Sequence, residues 1–264
     1  MNTSTNKRIK ASDTKSVSKT LAILSNFDET TPMQKTSDIA SRLNMSISTA
    51  SRHLNTMLDW GFLERDDSTG YYSPGYETIA LAGTALLNND AYRYAYPELQ
   101  RLSYRYVVHS HMAVQRGVEI VHLISSSCEN TMDLFIPMGH RQPMYCSAMG
   151  RAILAYLAED KAMEILKKSE LNKMASETKI DIEDIKQELI NTRQKGYCVL
   201  LNELSESKAS LAAPIFNRQR FPVAAISVSI SAQGMRHPQR ERELAKAIKG
   251  AAGRISGKLG YFPL

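Results

Sequence analysis

Four groups of residues have the types and spacing to do chemistry. The first is Ser46, Ser48, Thr49, Ser51, Arg52 and Asn55. On a helix opening at Ile47 they lie largely opposite an apolar stripe of Ile47, Ala50, Leu54, Met57 and Leu58. No acid intervenes before Asp59. Small residues let a helix sit deep in the major groove of duplex DNA, where hydroxyls and arginine reach phosphates or base edges. Any solvent-facing helix is polar on one side, so that plain alternative stays open. The second group is Ser227 and Ser229, which period-two alternation puts on one face of a strand. They suit a pocket that hydrogen-bonds a polar ligand, or simply the wet side of a half-buried strand. The third is the helix start Ser147-Ala148-Met149-Gly150-Arg151, whose free N–H groups suit an anion, or a capped helix that holds only water. The fourth is His109 and His111, which share a strand face as metal ligands do. They lack a nearby third ligand, so they are read as structural and no metal is expected.

The first group needs a scaffold, and the flanking sequence predicts one. Val17, Leu21, Leu24 and Phe27 define an amphipathic helix over Ser16 to Phe27. A second helix opens at Thr36 or Ser37, either of which suits a cap, buries Ile39, Ala40 and Leu43, and ends at Asn44. Ser46 caps the third helix and Gly61 stops it. Trp60 to Arg65 then leads into a hairpin that turns at Asp66-Asp67-Ser68-Thr69-Gly70 and returns through Tyr71 to Gly75. Three short helices followed at once by a hairpin is the order of a winged helix-turn-helix. The turn is acidic, so Arg65 or Tyr71, rather than the tip, is expected to touch a DNA backbone. The candidate DNA contacts are therefore Thr36, Ser46, Ser48, Thr49, Ser51, Arg52, Asn55, Arg65 and Tyr71.

The other groups lie in a longer second part. Residues 76–89 are apolar at Ile79, Leu81, Ala82, Leu86 and Leu87 and read as a connecting helix, packed on its own domain or paired with a second copy. Tyr92, Tyr96, Leu99, Leu102 and Tyr106 mark a helix whose aromatic stripe is read as core. Strands are predicted at His111–Gln115, Glu119–Ser125, Thr131–Pro137, Tyr197–Leu201, Ser210–Phe216 and Val223–Ile230, with a loop from Met138 to Cys146. Helices are predicted from Ser147 to Leu157, from Asp181 to Arg193 closed by Gly196, and from Pro238 onward with Leu244, Ile248, Ala251, Ile255 and Leu259 inward. The basic residues of that last helix are read as a solvated face.

Composition bounds these readings. The 264 residues favour two domains, and 43% hydrophobic with 23% charged residues is ordinary for a globular protein. Residues 1–14 are polar and read as a mobile arm that is neither a secretory signal nor an anchor, so a cytoplasmic protein is expected. Cys128, Cys146 and Cys198 form no CxxC pair and read as reduced thiols. The net charge is +6, yet the first 75 residues carry nine lysines and arginines against eight acids, so charge alone makes no case for a polyanionic partner. No HExxH, GxSxG or Gly-rich phosphate loop is present, so no enzymatic activity and no cofactor is expected.

Five stretches in order resemble the IclR family of transcriptional regulators: SVSKTLAILSNF, SDIASRLNMSISTASRHLNTMLDWGFLERDDSTGYYSPG, IPMGHRQPMYCSAMGRAILAYL, RQKGYCVL followed by ASLAAPIF, and FPVAAISVSI. The likeness runs from about Ser16 to Tyr261. It implies an α+β protein in which a winged helix-turn-helix (residues 15–75) is joined by a linker helix (76–90) to a GAF-like α/β effector-binding domain (91–264). It also implies homodimers, often dimers of dimers, on palindromic operators, repressing in some members and activating in others. By the same resemblance a small carboxylate effector meets the backbone of Ala148 and Met149 and the side chains of Ser210, Ser227 and Ser229. Two departures stand out: many members have Cys where this chain has Ser210, and some an acid where it has Leu200, with Glu203 three positions on. A more apolar or bulkier effector than glyoxylate or pyruvate is expected, such as an aromatic acid. The alternative is a ligand-sensing protein-interaction module whose DNA-binding motif has degenerated.

Overall fold

The computed structural model of the chain describes residues 15–127 and 136–263. The arm at 1–14, Cys128 and most of the strand expected at Thr131–Pro137 lie outside them. The chain divides into two compact units between Asn88 and Asn89.

The first unit contains α1 (Lys15–Leu24), α2 (Thr36–Arg42), α3 (Ile47–Asp59), β1 (Leu63–Arg65), β2 (Tyr72–Pro74) and α4 (Tyr76–Leu87). Its small core is Ile23, Ile39, Leu54, Met57, Leu63 and Tyr72. Ser46 caps α3 by accepting from Thr49 N–H at 3.2 Å. Asn44 takes the left-handed conformation (φ 49°) that turns the chain from α2 to α3. At the far end of α3, Gly61 N–H donates to Leu58 and Phe62 N–H to Met57, the paired bonds of a Schellman stop. β1 and β2 pair antiparallel, Leu63 opposite Pro74. Gly75 lets the wing close, because a side chain there would meet the Gly61 carbonyl oxygen at 2.3 Å.

Several expectations about this unit need correction. α1 stops at Leu24, because Asn26 turns away to donate to the Gln34 side chain at 2.7 Å. Its fully buried residue is Ile23, while Val17 and Leu21 are 56% and 57% exposed. Neither Thr36 nor Ser37 caps α2: Lys35 holds the cap position and the Asp38 carboxylate accepts its N–H at 3.1 Å. Ile47 is exposed at the first position of α3, and the inward residues are Ala50, His53, Leu54 and Met57. α4 buries no residue at all.

The second unit is a six-stranded antiparallel sheet between two helical layers. Its members are α5 (Asp90–Tyr106), β3 (His109–Arg116), β4 (Glu119–Ser126), β5 (Arg141–Pro143), α6 (Ala148–Leu154), α7 (Glu159–Lys168), α8 (Ile182–Lys195), β6 (Cys198–Leu201), β7 (Lys208–Phe216), β8 (Pro222–Ser231), α9 (Ala232–Met235) and α10 (Pro238–Lys258). The strand order is β5-β4-β3-β8-β7-β6. Period two separates the two sheet faces. Met112, Leu211, Ala213, Ile226 and Val228 pack against α5 and α10. Ala113, Ala212, Ala225, Cys198 and Leu200 face α6, α7 and α8. β5 interrupts the loop expected at Met138–Cys146 because Arg141 and Gln142 pair with Val121 and Ile120. On α5, Leu99 and Leu102 are buried as expected but Tyr96 is 47% exposed. The cations of α10 are not all solvated: Arg254 pairs with the buried Glu98 carboxylate at 2.7 Å and Arg240 donates to the Tyr106 carbonyl. Among the described residues no helix is long and apolar enough to cross a membrane.

Candidate functional site

On the first unit the polar side of α3 is built from its inward side. Ala50, Leu54 and Met57 are buried, which fixes the roll of the helix and turns Ser48, Arg52 and Asn55 outward, all exposed. His53 is buried as well, and its Nδ1 lies 2.9 Å from the Thr20 hydroxyl, tying α3 to α1. Burial, with Arg52 and Lys19 nearby, holds its pKa below the usual value, so the ring stays neutral beside the exposed cation. The Ser46 hydroxyl is engaged by the cap bond and by the Ser48 and Thr49 hydroxyls at 3.1 and 2.8 Å. Thr49, Ser51 and Thr36 are half-buried.

The wing departs from a bare acidic tip. Asp66 accepts from the Ser68 and Thr69 N–H groups and the Ser68 hydroxyl, bonds that lower its pKa to about 2. Arg65 lies over the Tyr72 ring at 5.6 Å. Tyr71 is half-buried beneath the Lys35 ammonium, 5.0 Å from its ring centroid. Lys35 therefore adds a basic group at the wing. The sequence reading missed it because its partner is 36 positions away across the hairpin.

On the second unit all five residues named for the effector come together. Ala148, Met149, Ser210, Ser227 and Ser229 line one cavity of about 200 Å³ between the sheet and the start of α6. Ser210 and Ser229 stand opposite each other on β7 and β8 with their hydroxyls 2.8 Å apart. Ser227 stands opposite His111 on β3. Leu200, Leu204, Met149 and Ile136 supply apolar wall. Ser147 caps α6 by accepting from Gly150 N–H at 3.2 Å. Gly150 itself lets α6 press on Met144, whose Cα and carbonyl oxygen would lie 2.4 Å from any added Cβ.

Beyond Ser147, three buried polar residues also line the cavity, with the less buried Gln142, Ser205 and Lys208 beside them. Glu203 does, but its carboxylate is closed off by the fully buried Arg151, with Nη1 at 2.8 Å and Nη2 at 2.5 Å. Arg151 also donates from Nε to the Tyr145 carbonyl at 2.6 Å. The signal for Arg151 was present as a lone cation in the apolar run AMGRAILAYL; its partner, 52 positions on, was not readable. His111 and His122 are the other two, each 1% exposed. Burial, then the neighbouring His122 and His109, lowers the His111 pKa to about 3. Burial lowers His122 to about 4 against a smaller opposing effect of Gln142, with His140 adding to the drop. Cys146, in the same wall, is pushed up to about 12 by burial and stays a thiol. Among the described residues no group of three His, Cys, Asp or Glu could hold a metal ion.

The IclR helix-turn-helix domain matches residues 16–67, and the bacterial transcriptional regulator IclR C-terminal domain matches residues 83–257. The HTH-type transcriptional regulator KipR of Bacillus subtilis is 30% identical over 247 residues, covering 94% of this chain and 98% of that protein. The glycerol operon regulatory protein of Streptomyces coelicolor is 32% identical over 230 residues, covering 85% and 88%. A solved structure of an IclR homolog from Microbacterium hydrocarbonoxydans, complexed with 4-hydroxybenzoate, superposes with a TM-score of 0.77 at 26% identity, covering 90% of this chain and 99% of that one.

Two outcomes follow from the buried charges and rings. Arg151→Met leaves a buried carboxylate without its partner and is expected to cost about 3–5 kcal/mol, while adding Glu203→Leu recovers most of that loss; denaturant unfolding measures both. His111 and His122 titrate near 6.5 when unfolded but only at about 3 and 4 when folded. The folded chain thus binds fewer protons, so their stabilisation is complete above about pH 6.5 and is lost as pH falls toward 4 and 3. At pH 5 the loss is about 2 kcal/mol per ring. Unfolding at pH 7.5 and pH 5 should show it, and His122→Gln should flatten the dependence by its share.

Proposed function

The chain belongs to the IclR family of bacterial transcriptional regulators, and from that premise we propose how this DNA-binding regulator and its C-terminal effector domain work. α3 is the recognition helix. Ser48, Arg52 and Asn55 enter the major groove, with Ser46, Thr49 and Ser51 against its edges and phosphates. Thr36 at the start of α2, Arg65, and Tyr71 with Lys35 above it meet the DNA backbone. The observation that carries this reading is the outward, acid-free start of α3, fixed in place by buried Ala50, Leu54 and Met57.

Residues 91–264 take up a small carboxylic acid. Its carboxylate faces Ser210, Ser227, Ser229 and the Ala148 and Met149 backbone, and its body meets Leu200, Leu204 and Ile136. The apolar wall and the 4-hydroxybenzoate bound to a relative support an aromatic acid. The cavity is smaller than most ligand pockets, which keeps the acid small. The protein works as a homodimer, two of which join on a palindromic operator. The exposed Ile79, Leu81 and Leu87 of α4, together with Val17 and Leu21 of α1, supply apolar surface for a second copy. It acts in the cytoplasm, where its DNA is, and no catalytic step enters. Effector in residues 91–264 favours one spacing of the two winged domains through the linker at 76–90, and that spacing fits or misfits half-sites about one helical turn (~34 Å) apart.

Binding of the purified chain to the DNA upstream of its own gene, at two salt concentrations, tests the proposal. Affinity should fall steeply with salt, and Arg52→Ala should cost about 1–3 kcal/mol. Unchanged affinity in Arg52→Ala would remove that residue from the interface. Failure to select any DNA sequence, at either salt, would favour a protein-interaction module instead.

A further inference from the structure

The cavity has a second polar wall that the serines and α6 do not use. His111 and His122 both line it, and both are buried to 1% exposure. His111 Nδ1 lies 3.1 Å from the Ser125 hydroxyl, but among the described residues its Nε2 makes no hydrogen bond, and neither do Nδ1 or Nε2 of His122. Gln142 sits near enough to favour the charged form of His122, yet not in hydrogen-bonding geometry. Three buried ring nitrogens that no described residue bonds are a costly arrangement unless a ligand meets them, since each forgoes hydrogen bonds it made to water in the unfolded chain.

Their placement follows from the sheet. Across one face, Ser210 on β7 stands beside Ser229 on β8, Ser227 on β8 beside His111 on β3, and His122 on β4 beside Ala113 on β3. A register shift between Met112 and Ala113 re-aligns β4 against β3 at this point. Ser210 and His122 are therefore three strand spacings apart, roughly 14 Å, and offset along the strands as well. A single carboxylate cannot meet both ends of that row. A small molecule with a polar group at each end can.

The chemistry of the second group is set by what surrounds the rings. The rings that face them are His109 and His140, with Gln142 and the Ser125 hydroxyl. Of the charged groups close to the cavity, Arg151 is matched by Glu203, and Lys208 lies at its edge on β7. Burial keeps both rings neutral at pH 7. A neutral imidazole has one N–H and one lone pair. A hydroxyl donates and accepts, so it can meet the N–H of one ring and the lone pair of the other in either tautomer, whereas a carboxylate only accepts and would leave the lone pair beside it unmet. A metal would need more ligands than two histidines provide.

We infer that His111 and His122 form a second subsite, which binds a neutral hydroxyl on the far end of the effector, so that the effector is a hydroxy acid rather than a simple acid or a diacid. This rests on the acid-binding reading of the serine end. The two histidines are then the residues that set specificity, and the serines those that hold the carboxylate.

The test is calorimetric titration of the intact protein with matched acids: benzoate and 4-hydroxybenzoate, valerate and 5-hydroxyvalerate, and the diacids terephthalate and adipate. The hydroxy acid of at least one pair should bind roughly tenfold or more tighter than its parent, the equivalent of one satisfied buried hydrogen bond. His122→Gln and His111→Gln should shrink that ratio toward one, whereas Ser229→Ala should weaken parent and hydroxy acid alike. The wild-type ratios need no variant, so a misfolded substitution leaves the test intact. Parent and hydroxy acids binding equally would overturn the histidine subsite and leave the acid reading standing. Preference for a diacid would overturn the hydroxyl assignment. No binding by any of the six would overturn the acid reading, and this inference with it.

Discussion

Arg151 and Glu203 form an ion pair with almost no access to solvent, and the shape of the cavity between the sheet and α6 depends on it. Burying two charges costs more than their attraction alone returns unless every remaining donor and acceptor is met. Here the guanidinium is bidentate to Glu203 and also bonds the Tyr145 carbonyl. Glu203 in turn accepts from Lys179 N–H, and its own carbonyl accepts from the buried Thr178 hydroxyl. The pair thereby ties the start of α6 to the segment after β6 and to the turn before α8. It also leaves the cavity without an unmatched carboxylate at Glu203, a condition for admitting an acid. An apolar pair of the same volume would hold the fold at least as well; the ionic pair gives one fixed geometry in place of several.

The same economy shapes the first unit. α3 turns a hydroxylated, arginine-bearing side outward because its other side is locked by Ala50, Leu54, Met57 and the His53–Thr20 bond. The Asp66 carboxylate at the wing tip is held by hydrogen bonds within its own turn, and the cations of this unit include Lys19, Lys35, Arg52 and Arg65. α4 carries apolar side chains that no described residue of its own unit buries. Regulation requires that a ligand in one unit bias the affinity of the other, and this bias is a coupling free energy that acts equally in both directions.

Much of this was readable from residue order, where a local rule suffices. Ser46 as a cap, Asn44 as a left-handed turn, the hairpin at Asp66–Gly70 and the alternation of Ser227 and Ser229 each depend on neighbours within a few positions. Other features depend on distant partners. Apolar residues at helical spacing do not say whether they face a core or a second copy, so Val17, Leu21 and Ile79 could not be sorted from Ile23 by pattern. Arg151 reads as an oddity until Glu203 is placed against it. His111 and His122 belong to two strands whose register shifts between them, and the ring nitrogens that no described residue bonds show only in three dimensions.

The most direct test of the account is reciprocity. Operator affinity would be measured by fluorescence anisotropy with and without saturating 4-hydroxybenzoate, and the affinity for 4-hydroxybenzoate by calorimetry with and without operator. Both affinities should change by one common factor, about 5- to 150-fold for couplings of ordinary size. Tight binding of each partner with neither affected by the other would contradict it, because the cavity would then be no sensor for the DNA-binding unit.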